Sequence, residues 1–379
     1  MAFDKSTLTN TPSTTKKKSA IREWFDSILF AVVAATLIRW LFFEAFTIPT
    51  PSMENSLLVG DFLFVSKLHY GTRTPKTPLQ VPLTHQTIWG TNIPSYSDAI
   101  QLPQFRLPGF SEVQRGDVVV FNYPPELQHP VDLKTNYIKR CMGLPGDKLE
   151  VRDLQVFANG VAVPNPARME DEYFVATTTA NINEEKVFLQ NDISDYSAYT
   201  ETFNDTIPGN DQPGYLIKTT SDITAKLRQY DFVKGISLVK ASKDIIEPGL
   251  FPKSDLFKWN RDNYGPVTVP KKGVTVNLTP ENVAMYGAVI HDYEGNDDVV
   301  VDEKMIKIAG KAISSYTFKQ DYYFMMGDNR HNSADSRYWG FVPMDHVVGK
   351  AVFVWMSIDP NPTSFLGKIR WSRLFRIIN

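Results

Sequence analysis

The segment FTIPTPSMENSLLVGDFLFVSK, residues 46–67, follows the most hydrophobic part of the chain and decides how the rest is organised. Its first half is apolar and stiffened by Pro49 and Pro51, whereas a plain linker would be polar and flexible. Its second half, DFLFVSKL at 61–68, is β-branched and aromatic and predicts a strand. The segment therefore marks a change from helix to β structure, with Ser52 at the junction.

A single membrane-spanning helix is predicted just upstream, over 24–46. These 23 residues would form about 34 Å of helix, enough to cross the hydrocarbon layer. Arg39 would lie in its last third, where a long side chain can snorkel outward beside Trp40. A cleaved signal peptide and a buried soluble helix are the alternatives. No A-x-A-like cleavage site follows the apolar run, which speaks against the first.

The charges around this helix predict its orientation. Residues 1–23 form a basic tail with three consecutive lysines at 16–18, and almost no basic residue follows the helix before Lys67. Because basic residues favour the cytoplasmic side, we expect a cytoplasmic N-terminus and an exported remainder.

The rest of the chain is predicted to be mainly β, an antiparallel catalytic sheet with a large inserted second β domain. Short β-branched and aromatic runs end at Gly, Asp or Pro, and we see no helical repeat after residue 50. The predicted parts are 47–150, with an inserted loop at 71–112, then the inserted domain at 151–318, then 319–358 as the second half of the catalytic domain. Residues 359–379 form a basic amphipathic tail that either lies on a membrane surface or docks on the body.

Composition argues against several other classes of function. The 40 basic residues nearly balance the 42 acidic ones, so no global charge favours nucleic acid. The six histidines and the single cysteine, Cys141, show no metal-ligand spacing. We therefore expect no metal, no cofactor and no nucleic-acid partner.

Two further blocks contain candidate chemistry. In NYIKRCMGLPGDKLE, 136–150, a strand would place Lys139 on the same face as Tyr137 and Cys141. An inward lysine is costly unless it is used, but for this block taken alone an exposed edge-strand lysine is the better explanation. In MMGDNRHNSADSRYWGFVP, 325–343, eleven consecutive polar or small residues follow an apolar strand. That density predicts a buried polar network.

Together these blocks resemble the bacterial type I signal peptidases, also called leader peptidases. The resemblance rests on PSM around Ser52, YIKR around Lys139, and GDNRxxSxDSRYWGFVP at 327–343, over roughly 24–70, 113–150 and 320–355. It departs from some family members at Pro51 and His331. It implies a membrane-anchored serine endopeptidase of the bacterial cytoplasmic membrane that removes signal peptides from exported preproteins.

The resemblance also implies roles for individual residues. Ser52 would be the nucleophile and Lys139 the general base, oriented by Ser333. The Thr50 hydroxyl and the Ser52 N–H would form the oxyanion hole. The remaining implied residues are structural ion pairs among Asp328, Arg330, Asp335 and Arg337, and pocket walls from Phe46, Ile48, Met53, Leu57 and Ile138.

This chemistry sets a requirement on the lysine. Lysine acts as a base only when neutral, so its pKa must fall by about 2–3 units from about 10.4. Burial among apolar neighbours could do this, provided that the nearby aspartates pair with arginines. Two rivals are a self-cleaving repressor-type Ser-Lys protease, which lacks the membrane helix, and a silent membrane-anchored scaffold that binds exported peptides.

Overall fold

The computed structural model describes residues 19–178, 182–199, 213–360 and 366–378. Most of the predicted basic tail, including the three lysines at 16–18, lies outside the described residues, and so does part of the predicted C-terminal tail. The described helices are α1 (Ala20–Leu41), α2 (Glu184–Val187), α3 (Ser221–Leu227), α4 (Pro280–Asp292) and α5 (Ser336–Trp339).

The prediction of a mainly β fold is confirmed. In chain order the strands are β1 (Phe43–Thr47), β2 (Asp61–Ser66), β3 (Val118–Asn122), β4 (Asn136–Gly143), β5 (Lys148–Arg152), β6 (Gln155–Ala158), β7 (Val161–Ala162), β8 (Asp171–Thr177), β9 (Tyr196–Tyr199), β10 (Gly214–Thr219), β11 (Val233–Leu238), β12 (Tyr264–Thr268), β13 (Thr275–Asn277), β14 (Val299–Val301), β15 (Ile306–Ile308), β16 (Lys311–Ile313), β17 (Ser315–Thr317), β18 (Tyr322–Met326), β19 (Val342–Pro343), β20 (Val347–Ser357) and β21 (Arg376–Ile377).

Helix α1 is shifted relative to its prediction of 24–46. It begins at Ala20 because the Ser19 side chain accepts a hydrogen bond from the Arg22 N–H and caps the first turn. It ends at Leu41, and 43–47 form β1 instead of a last helical turn. The physical reason is pairing, since β1 lies antiparallel to β2 along its whole length. The helix has no buried residue and is long and apolar enough to cross a membrane.

The large sheet takes its strands from both ends of the chain. Its order is β1-β2-β20-β3-β4-β18-β19, with β21 paired to β20, and all neighbours are antiparallel. The strands predicted from the runs at 61–68, 116–124, 321–329 and 349–358 all lie in it as β2, β3, β18 and β20. The sheet places β4 beside β18, and therefore brings the lysine block next to the polar block.

The long central region folds as several smaller sheets. Strands β8 to β11 form one sheet over a separate core that includes Val175, Phe188 and Tyr215, and β5, β6, β7 and β12 form another. A larger apolar core includes both Met142, on strand β4 of the main sheet, and Ile290 on α4. The division into a catalytic and an inserted domain at residue 150 stays a prediction.

Helix α4 contradicts our expectation that no helical repeat follows residue 50. Thr279 caps it, Pro280 occupies its first turn, and its apolar residues face the larger core at helical spacing. These signals are present in the sequence but are surrounded by strand-like runs.

Residues 71–112 contain no helix or strand within the described part, only isolated bridges such as Arg73 with Arg106.

The end of the chain docks on the main sheet. There β21 pairs with β20 and the buried Arg373 guanidinium binds the Asp61 carboxylate, with Nε 2.9 Å from Oδ1. The described part of the tail therefore docks on the body, which was one of its two predicted alternatives. Its side chains Trp371, Phe375 and Ile377 stay exposed.

Candidate active site

Ser52 lies in a short 3-10 turn, Pro51–Met53, between the first two strands of the main sheet. Pro51 occupies the first turn position, where its missing N–H costs nothing, and Thr50 before it is extended. The Ser52 side chain is buried, and its carbonyl accepts a hydrogen bond from the Asn329 N–H at 3.2 Å. The predicted nucleophile is thus fixed by its own turn and by the polar block.

Lys139 reaches Ser52 from β4. Its Nζ lies 2.7 Å from the Ser52 Oγ and 2.9 Å from the Ile138 carbonyl oxygen. The Tyr137 ring centroid is 5.5 Å from Nζ, as expected for side chains on the same face of a strand. The fold thus brings Ser52 and Lys139 into contact, although 87 positions separate them in the sequence.

The surroundings of Lys139 disfavour its charged form. Burial lowers the pKa of Lys139 to about 8, and the carboxylates of Asp335 and Asp328 offset part of that effect. About a tenth of the amine is therefore neutral at pH 7, and about half at pH 8. This meets the requirement derived from the sequence.

The predicted ion pair between Asp335 and Arg337 is present. Arg337 donates from Nε and Nη2 to the two carboxylate oxygens at 2.9 and 2.8 Å, and both residues are buried. The Gly327 N–H also donates to Asp335 at 3.1 Å. Because Arg337 holds the pKa of Asp335 below its usual range despite burial, this carboxylate stays charged and paired.

Arg330 was also expected to take part in the ion pairs of this block, but within the described residues Asp328 does not pair with it. Asp328 instead binds Arg140, which donates from Nε and Nη2 at 2.8 and 2.7 Å. The register explains this, because β4 and β18 place Arg140 opposite Met326, two residues before Asp328. Arg330 is buried, and within the described residues its guanidinium nitrogens have no hydrogen-bond partner. Burial lowers its pKa.

The predicted contact between Ser333 and Lys139 is not formed. The Ser333 hydroxyl is buried without a hydrogen-bond partner in the described part of the chain. It lies against Gly327, where an added Cβ would meet the Ser333 Oγ at 2.3 Å and the Ser52 carbonyl oxygen at 2.5 Å. The Ile138 carbonyl holds the lysine instead. Lysine orientation by Ser333 stays a proposal.

Three of the five predicted pocket residues are buried. Met53 and Leu57 are fully buried in the core beneath Ser52, so they support the site and do not line it. Ile48 is 3% exposed, whereas Phe46 and Ile138 are half-buried at the edge of the same cluster. Thr50 is exposed, and no side-chain hydrogen bond caps the turn from it.

Hydrogen bonds from the central region also support the active site, and no local sequence pattern predicts them. Glu170, just before β8, forms a parallel bridge with Asn329, and its buried carboxyl accepts a hydrogen bond from the Asn55 amide. Asn55 has φ of 63° and follows Ser52 by three residues. His331, two residues after Asn329, binds Asp262 with Nε2 3.0 Å from Oδ1. Such long-range contacts leave no local pattern.

A comparison with protein families settles the wider assignment. The model of the family described as signal peptidase, peptidase S26, matches residues 21–203 and 266–356. The chain belongs to this family. Its fold class, its identification as a serine peptidase and the resemblance to signal peptidases are therefore confirmed, and the silent scaffold is not favoured. With α1, the family assignment makes this a membrane-anchored signal peptidase.

Individual members of the family align over most of the chain. Signal peptidase I of Buchnera aphidicola subsp. Acyrthosiphon pisum is 26% identical over 359 residues, which cover 95% of this chain and 82% of the relative. Signal peptidase I of Rickettsia massiliae is 26% identical over 349 residues, covering 92% and 84%. Signal peptidase I of Haemophilus influenzae is 24% identical over 355 residues, covering 93% and 75%. The similarity therefore extends well beyond the three motif blocks.

Proposed function

We propose that this peptidase removes signal peptides from exported preproteins, with Ser52 as nucleophile and Lys139 as general base. The observation that carries the proposal is the 2.7 Å separation of Oγ and Nζ in a buried setting. A serine hydroxyl is a weak nucleophile and needs such an adjacent base. Within the described residues no histidine hydrogen-bonds to Ser52, so Lys139 is the base at hand.

The reaction begins with proton transfer. Neutral Lys139 takes the Ser52 hydroxyl proton as Oγ bonds to the scissile carbonyl carbon. The Ser52 N–H and the hydroxyl of Thr50, an exposed residue, stabilise the negative charge that develops on the carbonyl oxygen. The C–N bond then breaks, and the proton on Lys139 passes to the leaving amine.

The second half of the reaction releases the signal peptide. Neutral Lys139 takes a proton from water, whose oxygen attacks the Ser52 ester carbonyl. The carbon–Oγ bond breaks, and Ser52 recovers its proton from Lys139. Water therefore supplies one oxygen of the new carboxyl group and the proton that returns to Ser52, and the enzyme returns to its starting state.

Substrate choice follows from the surface beside Ser52. Only Phe46 and Ile138 of the predicted apolar walls expose substantial surface, and we propose that the pockets beside Ser52 are shallow. Shallow apolar pockets favour small side chains near the scissile bond.

We propose a single-pass anchor in the bacterial cytoplasmic membrane, with the N-terminus in the cytoplasm and the sheet outside.

Replacing the nucleophile tests the proposal. We expect Ser52→Ala to lose preprotein cleavage, measured by gel shift of a preprotein in detergent micelles, while its thermal unfolding stays unchanged. Ser56→Ala is the matched control, a serine of the same loop that is expected to keep full activity. Equal cleavage by wild type and Ser52→Ala would defeat the assignment.

A further inference from the structure

The loop formed by residues 71–112 has an inverted distribution of side chains. Its buried side chains are polar and include Thr72, Thr77, Thr84 and Ser95. Its large apolar side chains face outward, and nine of them are more than 40% exposed. Three aromatic rings stand out: Trp89 is 70%, Phe105 64% and Phe110 80% exposed. In water the opposite arrangement is expected.

Hydrogen bonds to the body hold the polar side chains inward. The Asp132 carboxylate accepts from the N–H groups of Lys76 and Thr77 at 2.8 and 2.9 Å and from the Thr77 hydroxyl at 3.0 Å. Arg106 donates to the carbonyls of Gly71 and Val347, both at 2.7 Å. The loop is therefore fixed with its apolar side chains outward and cannot turn them in without breaking these bonds.

The loop is attached to the last turn of α1. The Thr72 hydroxyl donates to the Leu41 carbonyl at 2.6 Å, and the Trp40 indole donates to the Arg73 carbonyl at 3.0 Å. Arg39 also reaches the Thr84 carbonyl at 3.4 Å. The start of the loop thus lies where the membrane-spanning helix leaves the bilayer.

Backbone hydrogen bonds connect three of the exposed apolar residues to the start of the loop or to the segment just before it. The Leu107 N–H donates to the Thr72 carbonyl at 2.9 Å, and the Thr74 N–H donates to the Phe105 carbonyl at 2.8 Å. The Phe110 N–H donates to the Leu68 carbonyl at 3.0 Å. Leu107 is therefore bonded to Thr72 itself, and Phe105 and Phe110 are bonded to residues within four positions of Thr72.

We propose that this loop is a second membrane contact, lying in the interfacial layer around the exit of α1 with its apolar side chains in lipid. The occupant of the surface is the bilayer because the surface is continuous with the helix that spans it, and this rests on the proposed anchoring by α1. Aromatic side chains suit that layer, and a fixed apolar surface of this extent marks an interaction site. The loop has only two acidic residues, Asp98 and Glu112, so it presents little charge that anionic lipid would repel.

Site-specific fluorescence on the full chain tests the proposal without using activity. Cys141 is the only cysteine and is fully buried, so single cysteines can be labelled selectively. We would place an environment-sensitive dye at Phe105→Cys or Phe110→Cys and reconstitute the protein in phosphatidylethanolamine–phosphatidylglycerol vesicles. Val161→Cys is the matched control, because Val161 is apolar and 70% exposed but lies on β7 in another sheet.

We expect lipids with a doxyl group near the headgroup to quench the dyes at 105 and 110. We also expect a loss of iodide quenching there relative to position 161, which corrects for molecules that face the vesicle lumen. Equal iodide quenching at all three positions would overturn the proposal. Protection from iodide without quenching by lipid would also overturn it, since a protein or a second copy would then cover the loop. Failure of the unlabelled chain to float with vesicles would refute the α1 anchor itself.

Discussion

At the scale of single residues, the protonation state of the Lys139 amine controls whether the site has a base. Burial lowers its pKa to about 8, so the base is mostly protonated below that pH and mostly neutral above it. We expect kcat/KM for a preprotein to rise with pH and to level off above about 8. A pH series in constant ionic strength measures this. A rate that falls as pH rises toward 8 would contradict lysine as the base.

Replacing Lys139 by arginine separates charge from basicity. Arginine keeps the positive charge but does not deprotonate in proteins, so we expect Lys139→Arg to be inactive in the preprotein assay. Lys148→Arg, at an exposed lysine on the following strand, should cleave like wild type. Detectable turnover by Lys139→Arg would rule out the proposed proton transfer.

Gly327 tests how closely the polar block approaches Ser52. A Cβ there would meet the Ser52 carbonyl oxygen at 2.5 Å, so the alanine variant must displace the nucleophile turn or the Ser333 side chain. We expect Gly327→Ala to lose most cleavage, seen as a lower kcat. At Gly235 an added Cβ meets nothing within 4 Å, and Gly235→Ala should keep its activity. Full activity of Gly327→Ala would show that the approach is unimportant.

Among the elements, β4 and the segment after β18 are joined by the buried pair of Arg140 and Asp328. Removing one partner of such a pair leaves an unpaired buried charge, which costs about 3–5 kcal/mol. We expect Asp328→Ala to lower the free energy of unfolding by that amount in urea titrations of the detergent-solubilised protein.

The control for this variant is an exposed pair. Glu150→Ala breaks the surface pair with Arg152, and such pairs contribute only about 0–1 kcal/mol. If Asp328→Ala and Glu150→Ala were equally stable, the buried pair would have no structural importance.

Local patterns predicted strands of the main sheet, but they did not predict which side chains pair across neighbouring strands. The runs at 61–68 and 116–124 gave β2 and β3 because alternation and turn residues are visible in one segment. The Arg140–Asp328 pair depends on the register between β4 and β18, which a single sequence does not encode locally. The contiguous polar block therefore suggested the neighbouring Arg330 instead.

At the scale of the whole molecule, the main sheet and the central region share one apolar core. They are also connected by hydrogen bonds of Glu170 beside the active site. The core includes both Met142 and Ile290, and Glu170 connects the start of β8 to both Asn329 and Asn55. The sequence predicted an insertion but not this connection, because it required knowing which distant segments meet. Changes in the central region can therefore reach the turn that contains Ser52.

The joint between α1 and the sheet consists of one residue. The helix ends at Leu41 and β1 begins at Phe43, and Glu44 binds both Arg39 and Lys67, at 2.6 and 2.8 Å. Because this connection is one residue long and is held by two ion pairs, the sheet has little freedom to rotate relative to the helix. Any change in bilayer thickness that raises or lowers the helix end must carry Ser52 with it. The height at which a peptide bond is cut is therefore a built-in property of the protein, measured from its own anchor.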